Sequence, residues 1–507
     1  EILGVTDAAE DELYTAMDWL LERQDRIEKK LAVRHLKEGG LVLYDLSSSY
    51  FEGVTCPLAA FGYDRDGKKG KLQVNYGLLT DERGCPVAIS VFEGNQSDSK
   101  TLMPQVDMMR NRFGIHTLVL IGDRGMISQK HIDNDLRDLD GVEWITALKS
   151  GSIRKLIDGG ALQLDLFDER NLFELTHPDF PGERLVACRN PELAKLRAYK
   201  RQSLLEATTQ ELTKIRTMVE RARLRGKDKI SARVGKVITK KLAEYFVFEL
   251  HDDEFSFDVV NKEATAQAVL DSVCKRLESI GLEVRRGKHG GKDNIGVRVG
   301  KVVNKHKVAK HFVLEIRDDG FDFHIDEKKV VSEAALDGIY VIRTSLSEDR
   351  LSADDTVRSY KSLSQVERAF RSIKTIDLKV RPIRHRLETR VRAHIFLCML
   401  AYYVEWHMRE AWRPLLFCDE DQEAKKTRDP VALAKRSEAA LRKARSKKLD
   451  DGTDAHSFQT LLEILSTIVR NVCRVPGAAA DTSTFKVTTT PDEKQQRAYD
   501  LLETITM

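Results

Sequence analysis

Two short apolar runs, each ending on an aspartate, constrain this chain more than any other feature. "LVLYD" (41–45) and "LVLIGD" (118–123) contain no charged residue before the carboxylate. Uninterrupted apolar strands are covered on both faces, as inside a sheet with helices on each side. Asp45 and Asp123 therefore stand at the ends of expected core strands. If those strands are neighbours, the two carboxylates crowd a partly desolvated place, where one must hold its proton or a cation must hold both charges. Taken singly, either residue also reads as a turn acid after a strand.

Composition closes off other classes. With 507 residues, 41% hydrophobic and 32% charged, the chain has material for several globular domains and does not resemble a disordered segment. No run approaches the ~20 apolar residues of a membrane span, and the N-terminus lacks the basic start and apolar core of a signal peptide. We expect a cytoplasmic protein with no membrane partner. The start on Glu1 rather than Met suggests processing or a longer product. Seven scattered cysteines form no CxxC pair, so neither a disulfide framework nor a zinc site is indicated, and we read them as reduced thiols.

Periodicity organises the rest. Residues 10–38 read as helix, with Leu13, Met17, Leu20, Leu21 and Ile27 at helical spacing and "EGG" as the stop. "LVLYD", "KLQVNYGLLT" and "PVAISVFEG" read as three sequential antiparallel strands, the last two joined by a "DERG" turn. A helix, the strand ending at Asp123, a second helix from "MISQKHIDNDLRDL" and a fifth strand "VEWITALK" follow. Beyond Lys149 the chain repeats itself: "GKDKISARVGKVITKK" from Gly226 matches "GKDNIGVRVGKVVNKH" from Gly291, and "FVFELHDDEFSFDV" matches "FVLEIRDDGFDFHI". Two copies are too few for a solenoid and suggest a duplicated β-rich insertion. A core strand "DGIYVIRTS" (337–345) then returns. "SADDTVRSYKSLSQVERAFRSIKT" reads as one strong helix, with Ser352 or Asp354 as its cap. An apolar helix, "RVRAHIFLCMLAYYVEWHM", and a helical tail complete the chain. The expected divisions are 1–40 helical, 41–150 and 337–411 catalytic, 151–336 insertion, and 412–507 C-terminal helical.

The strong helix supplies a third acid. Tyr360, Glu367 and Lys374 are seven apart, and each heptad step on an α-helix returns to within about 20° of the same direction, so the three form one stripe. Leu363, Val366, Phe370 and Ile373 fall on an adjoining apolar face suited to packing on a sheet. Glu367 on the rim is thus placed to join the two aspartates around Mg²⁺, which takes carboxylate oxygens while keeping water and substrate phosphate. A solvated glutamate among basic neighbours is the competing reading. Between Tyr360 and Arg392, ten Lys or Arg stand against three acids. Such a patch suits a polyanion, nucleic acid first, or else is a solvated helix face.

"YDLSSSYFEG", "IGDRGMIS" and "YKSLSQVERAFRSIK" resemble, in order and context, the three acidic motifs of DDE transposases. The last is similar to the YREK signature, YxxRxxxExxxxxxK, of cut-and-paste insertion-sequence transposases: Tyr360, Glu367 and Lys374 match, while Leu363 holds the Arg position and Arg368 or Arg371 are its stand-ins. "DLKVRPIRHR", "RAHIFLCMLA" and "KVTTTPDEKQ" resemble later stretches of this group, and the likeness covers roughly 10–505. The resemblance implies an α/β fold: an RNase H-like mixed-sheet catalytic domain interrupted by a β-rich insertion between Asp123 and Glu367, where the duplicated units lie.

The resemblance also implies that Asp45, Asp123 and Glu367 are catalytic and bind Mg²⁺, with Mn²⁺ as a substitute, in a two-metal-ion mechanism. It implies phosphodiester hydrolysis and strand transfer at transposon ends through hairpin ends, and a homodimer holding double-stranded transposon-end and target DNA. Tyr360, Lys374, Arg368, Arg371, Arg381, Arg384 and His385 are the expected DNA contacts. The alternatives are a catalytically silent DNA-binding relic and an RNase H-like nuclease without strand transfer. Among lesser candidates, Asp98 reads as a helix cap, His394 as a helix-packing histidine, and Tyr340 as a core tyrosine rather than a base-stacking one. "GKHGGKD" lacks P-loop spacing, which excludes nucleotide binding there.

Overall fold

Strand β1 (Gly40–Tyr50) carries the first apolar run and continues through three serines. It pairs antiparallel with β2 (Gln73–Asp81), which pairs antiparallel with β3 (Pro86–Glu93). On its other side β1 pairs parallel with β4 (Leu118–Ile121), and β4 with β5 (Val142–Ala147). The order is therefore β3-β2-β1-β4-β5. The nine residues of β2 and the four of β4 are buried throughout, the burial that their apolar runs anticipate. Gly77 in β2 is obligatory on packing grounds, because a Cβ there would collide with the ring and hydroxyl of Tyr44.

This computed structural model describes residues 8–53, 55–68, 70–167, 171–225, 312–316, 321–418, 427–432, 436–474 and 484–505. The chain divides into two units: Glu1–Thr146 with Arg343–Pro430 and Ala434–Met507, and Ala147–Ile342 with Val431–Leu433.

Side chains alternate along β1, and that alternation sorts core from site. Val42, Tyr44 and Leu46 point into a core shared with Leu118 and Leu120, with Ala32 and Leu36, and with Leu102, Val106, Met109 and Phe113. Ala32 lies on α2 (Gln24–His35); Leu102 and Val106 lie on α3 (Leu102–Asp107), which runs into a wide turn at Met108–Phe113. Helix α1 (Glu10–Leu21) precedes α2. The single helix expected over 10–38 is thus two. Arg23 folds back to end the first, its guanidinium 4.0 Å from the Trp19 ring centre and Nη1 donating to the Trp19 carbonyl at 2.9 Å. Leu13, expected on the packing face, is exposed.

Leu43, Asp45, Ser47 and Ser49 take the opposite face of β1. There Ser49 Oγ meets Tyr76 Oη at 2.8 Å, and the Tyr76 ring packs edge-on against Phe370, 5.8 Å between centres. Phe370 belongs to a helical stretch that departs from expectation. Ser352 does cap it, accepting from Asp355 N at 3.1 Å. Yet the helix runs as α4 (Ala353–Lys361) and α5 (Leu363–Arg371), followed by a wide turn at Ser372–Ile376. At the break Ser362 Oγ donates to the Ser359 carbonyl at 2.6 Å, a local bond that competes with helix continuation. Of the expected apolar face, Val366, Phe370 and Ile373 are buried and Leu363 is half-buried, with Ala369 buried beside them.

Helix α6 (Glu388–Ala411) matches the apolar helix read from sequence. In the tail, helices Glu438–Ser446, Phe458–Leu465 and Glu493–Glu503 are joined by a small hairpin, Arg470–Cys473 with Phe485–Thr488, that helical periodicity did not anticipate. Trp412 anchors this region, fully buried, its Nε1 donating to the Ala498 carbonyl at 2.8 Å.

The second unit has its own core, including Leu148, Ile153, Phe167, Leu185 and Val341. Strands β6 (Leu172–Leu175) and β7 (Arg184–Arg189) pair antiparallel, and β7 lies beside β10 (Ile339–Thr344), the returning core strand. A long helix, Pro191–Glu220, starts from an Asn190 cap that accepts from Glu192 N and Leu193 N. The second copy of the repeated "FVxE" stretch is an antiparallel hairpin, β8 (Phe312–Ile316) with β9 (Phe321–Ile325). The first copy, and both "GKD" stretches, lie outside the described residues.

Candidate active site

The register of β1 and β4 places the two aspartates. Leu43 pairs with Ile121, the last residue of β4, and Asp45 and Asp123 each lie two residues beyond that pair; Asp123 follows its strand as expected, whereas Asp45 lies in the middle of β1, which continues to Tyr50 through its antiparallel pairing with β2. Asp123 is exposed, and its Oδ1 accepts from Gly125 N at 3.0 Å and Met126 N at 2.8 Å, which fixes the carboxylate in the turn. Asp45 is half-buried and accepts from Leu46 N at 2.8 Å.

Glu367, half-buried on α5, faces this pair. Burial pushes the Asp45 carboxyl up to about 8. The charge of Asp123 raises it, the Leu46 N–H opposes, Glu367 adds a further upward push, and Arg65 lowers it. The turn after β4 and α5 thus each bring an acid to bear on Asp45, and carboxylate oxygens are the donors that a hard divalent cation takes.

A second layer comes from the loop between β1 and β2, which sequence reasoning passed over. Asp66, buried there, accepts from Tyr50 N at 3.1 Å, and its Oδ1 lies 2.8 Å from Lys374 Nζ and 2.5 Å from Arg381 Nη1. Lys374 Nζ also donates to Ser47 Oγ at 3.0 Å, two residues along the same face from Asp45. Burial lowers the ammonium pKa and the Asp66 carboxylate opposes that shift. The break at Ser362 and the wide turn replace the straight stripe expected for Tyr360, Glu367 and Lys374: the lysine turns inward to Asp66. Arg65 pairs with Asp98. Asp98 is therefore not the cap it was expected to be; Ser97 holds the cap position, and the Asp98 side chain is spent on Arg65.

A family description, the transposase DDE domain, matches residues 55–404. The chain belongs to the DDE transposases. No curated protein matches it. Asp123 and Glu367 fall within the matched range, and Asp45 precedes it. The mixed α/β fold with a 3-2-1-4-5 strand order agrees with the RNase H-like architecture of this family. Membership supports a transposase function and implies DNA binding, and DDE transposases generally use divalent metals. Among the described residues, no helix is long and apolar enough to cross a membrane.

The transposase distributes its basic run unevenly. Arg368 and Arg384 are exposed, the latter 3.3 Å from Glu52 Oε2. Tyr360 and Arg371 are half-buried. Lys379 and Arg386, part of the same run, are also exposed. His385 packs edge-on against His394, 4.9 Å between ring centres, and against Tyr14 at 6.1 Å. Burial and the Arg390 charge hold His385 below the ordinary imidazole range. Tyr340 is half-buried on β10.

Proposed function

We propose that this transposase works by cut and paste, with Asp45, Asp123 and Glu367 as its acidic triad and the YREK group as its nearest kind. The observation that carries the proposal is the place where β4 ends beside the middle of β1: Asp45 and Asp123 lie there in register, and burial, then Asp123 and Glu367, raise the Asp45 carboxyl. Mg²⁺, replaceable by Mn²⁺, is the cation this oxygen set would hold. Bound there, it supplies Lewis-acid activation of the attacking oxygen and charge neutralisation at the leaving oxygen.

The chain's own residues do the rest. The Gly125 and Met126 amides hold Asp123 in one rotamer, and Lys374 with Arg381 locks Asp66 beside Ser47 on the Asp45 face. Arg368 and Arg384, with Tyr360 and Arg371 on the same helical stretch, fix the phosphate backbone, a positioning role. His385 stands next to them as a neutral donor or acceptor. In the reaction, water opens a phosphodiester at the transposon end and leaves a 3′-hydroxyl. That hydroxyl displaces a 3′-oxygen on the opposite strand to close a hairpin; after water reopens the hairpin, it displaces a 3′-oxygen in target DNA. Each transfer makes one P–O bond and breaks one. A homodimer on paired ends, acting on nucleoid DNA in the cytoplasm, is the assembly we expect.

The test is a supercoiled plasmid carrying the DNA that flanks the coding sequence, incubated with Mg²⁺ or Mn²⁺. Wild type is expected to cut at the element boundary and join ends, and Glu367→Gln to bind the plasmid without cutting. Cleavage that survives Glu367→Gln, or nicking without end joining, would remove the triad assignment or the transfer step respectively.

A further inference from the structure

We propose that the protein carries a second metal site, a Zn²⁺ site formed by His35, Cys85 and His407, apart from the acidic triad and independent of the reading given to it. The ligand atoms of these three residues all lie within 4.8 Å of one another, and they are the one such His, Cys, Asp and Glu group among the described residues. Cys85 Sγ is 3.8 Å from His35 Nε2 and 3.9 Å from His407 Nε2. A tetrahedral Zn²⁺ with ordinary Zn–S and Zn–N lengths holds sulfur and nitrogen about 3.6 Å apart. Each imidazole nitrogen therefore needs to move only a few tenths of an ångström relative to the sulfur to reach that spacing.

The surroundings are those of a ligand set already oriented. Asp81 Oδ1 accepts from Cys85 N and Arg83 N, both at 2.9 Å, and so builds the turn that presents the sulfur. Its Oδ2 stands 4.0 Å from His35 Nδ1, on the side of the ring away from Cys85. At 4.0 Å this is an ion-pair distance and not a hydrogen bond, but the carboxylate charge favours a proton on Nδ1, the tautomer that leaves Nε2 available. Tyr403 Oη, 3.0 Å from His35 Nε2, lies at the rim, where water or the phenol completes four-coordination. Cys85 is fully buried, while His407 keeps an exposed edge by which an ion enters. Borderline-soft N₂S donors select Zn²⁺ over Mg²⁺, so the two sites would not exchange metals.

The three ligands come from α2, the β2–β3 turn and α6, so a bound ion would staple three elements. The turn also touches the glutamate's helix: a Cβ on Gly84 would collide with the Cβ of Gln365, two residues before Glu367 on α5.

The experiment uses the full chain, stripped with chelator under reducing conditions and titrated with Co²⁺. One equivalent is expected to produce visible d–d bands and a near-ultraviolet thiolate-to-cobalt band, both bleached by one equivalent of Zn²⁺. Cys85→Ser should abolish the thiolate band and His407→Gln should weaken binding at least tenfold, while Asp45→Asn should leave the thiolate band unchanged. Zinc-edge absorption on the zinc-loaded wild type gives a readout free of any folding defect in the variants: one sulfur and two imidazoles are expected. A first shell of oxygen and nitrogen alone, or a thiolate band that survives Cys85→Ser, overturns the proposal.

Discussion

Asp66 balances a buried lysine and a half-buried arginine at once, and the energetics of its cluster are lopsided for that reason. Removing Lys374 leaves the carboxylate with Arg381 and the Tyr50 amide; removing the carboxylate leaves Lys374 with Ser47 alone and takes its counter-charge from Arg381 as well. Uncompensated buried charge costs about 3–5 kcal/mol. Asp66→Asn is therefore expected to lose about that much in urea unfolding and Lys374→Met distinctly less; equal losses would count against the cluster. A second residue-scale prediction concerns His394. Burial, then the neighbouring His385, hold its pKa down to about 4, below the ordinary 6.5. A depressed histidine favours the neutral form in the fold, so its contribution is complete above pH 6.5 and is lost as pH falls from 6.5 towards 4. The loss is at most about 1.4 kcal/mol per pH unit. His385, Tyr14 and Arg390, whose guanidinium lies 3.8 Å from the Tyr14 ring centre, face the same cluster. Unfolding curves at pH 7 and pH 5 should converge more for His394→Asn than for wild type; an unchanged gap would move the acid sensitivity elsewhere.

At the scale of elements, the β2–β3 turn and α5 are one mechanical unit. Gly84 has φ +81° and its missing Cβ makes room for Gln365. Gly84→Ala adds left-handed strain of about 1–3 kcal/mol and pushes on the helix that carries Glu367. A melt lowered with cleavage lost is the expected result, and Gln365→Gly in the same chain should restore part of the activity; no restoration would mean that the strain alone is responsible. Such couplings mark the limit of what was legible beforehand. The strands bearing Asp45 and Asp123 could be read because doubly covered strands announce themselves as unbroken apolar runs, and Glu367 because its neighbours carry a motif. Asp66 stands in a polar loop with no period, and its role exists only where Lys374 and Arg381 converge on it. The break at Ser362 turns on one side-chain hydrogen bond that periodicity cannot see. His35, Cys85 and His407 have no spacing signature because three separate elements bring them together.

For the whole molecule, a net charge of +3 hides how DNA affinity would be divided. The run from Tyr360 to Arg392 holds the excess, but its charges are not equivalent. Lys374 and Arg381 are committed to Asp66, and Arg392 to Glu388 and the Val91 carbonyl. Arg368, Lys379 and Arg386 are exposed. Only a cation that reaches a phosphate releases a counterion on binding, and each contributes about 0.9 to the slope of log K against log salt on duplex DNA. Replacing Arg368, Lys379 and Arg386 together with Gln should therefore lower that slope by between about 2 and 3, and weaken binding to any sequence alike. Lys374→Met, despite removing a charge from the same run, should leave the slope unchanged while lowering stability. The measurement is DNA affinity by fluorescence anisotropy across a salt series for the three proteins. If Lys374→Met reduces the slope as much as a surface arginine does, the ammonium leaves Asp66 to meet the DNA, and the buried cluster is a resting arrangement that substrate opens.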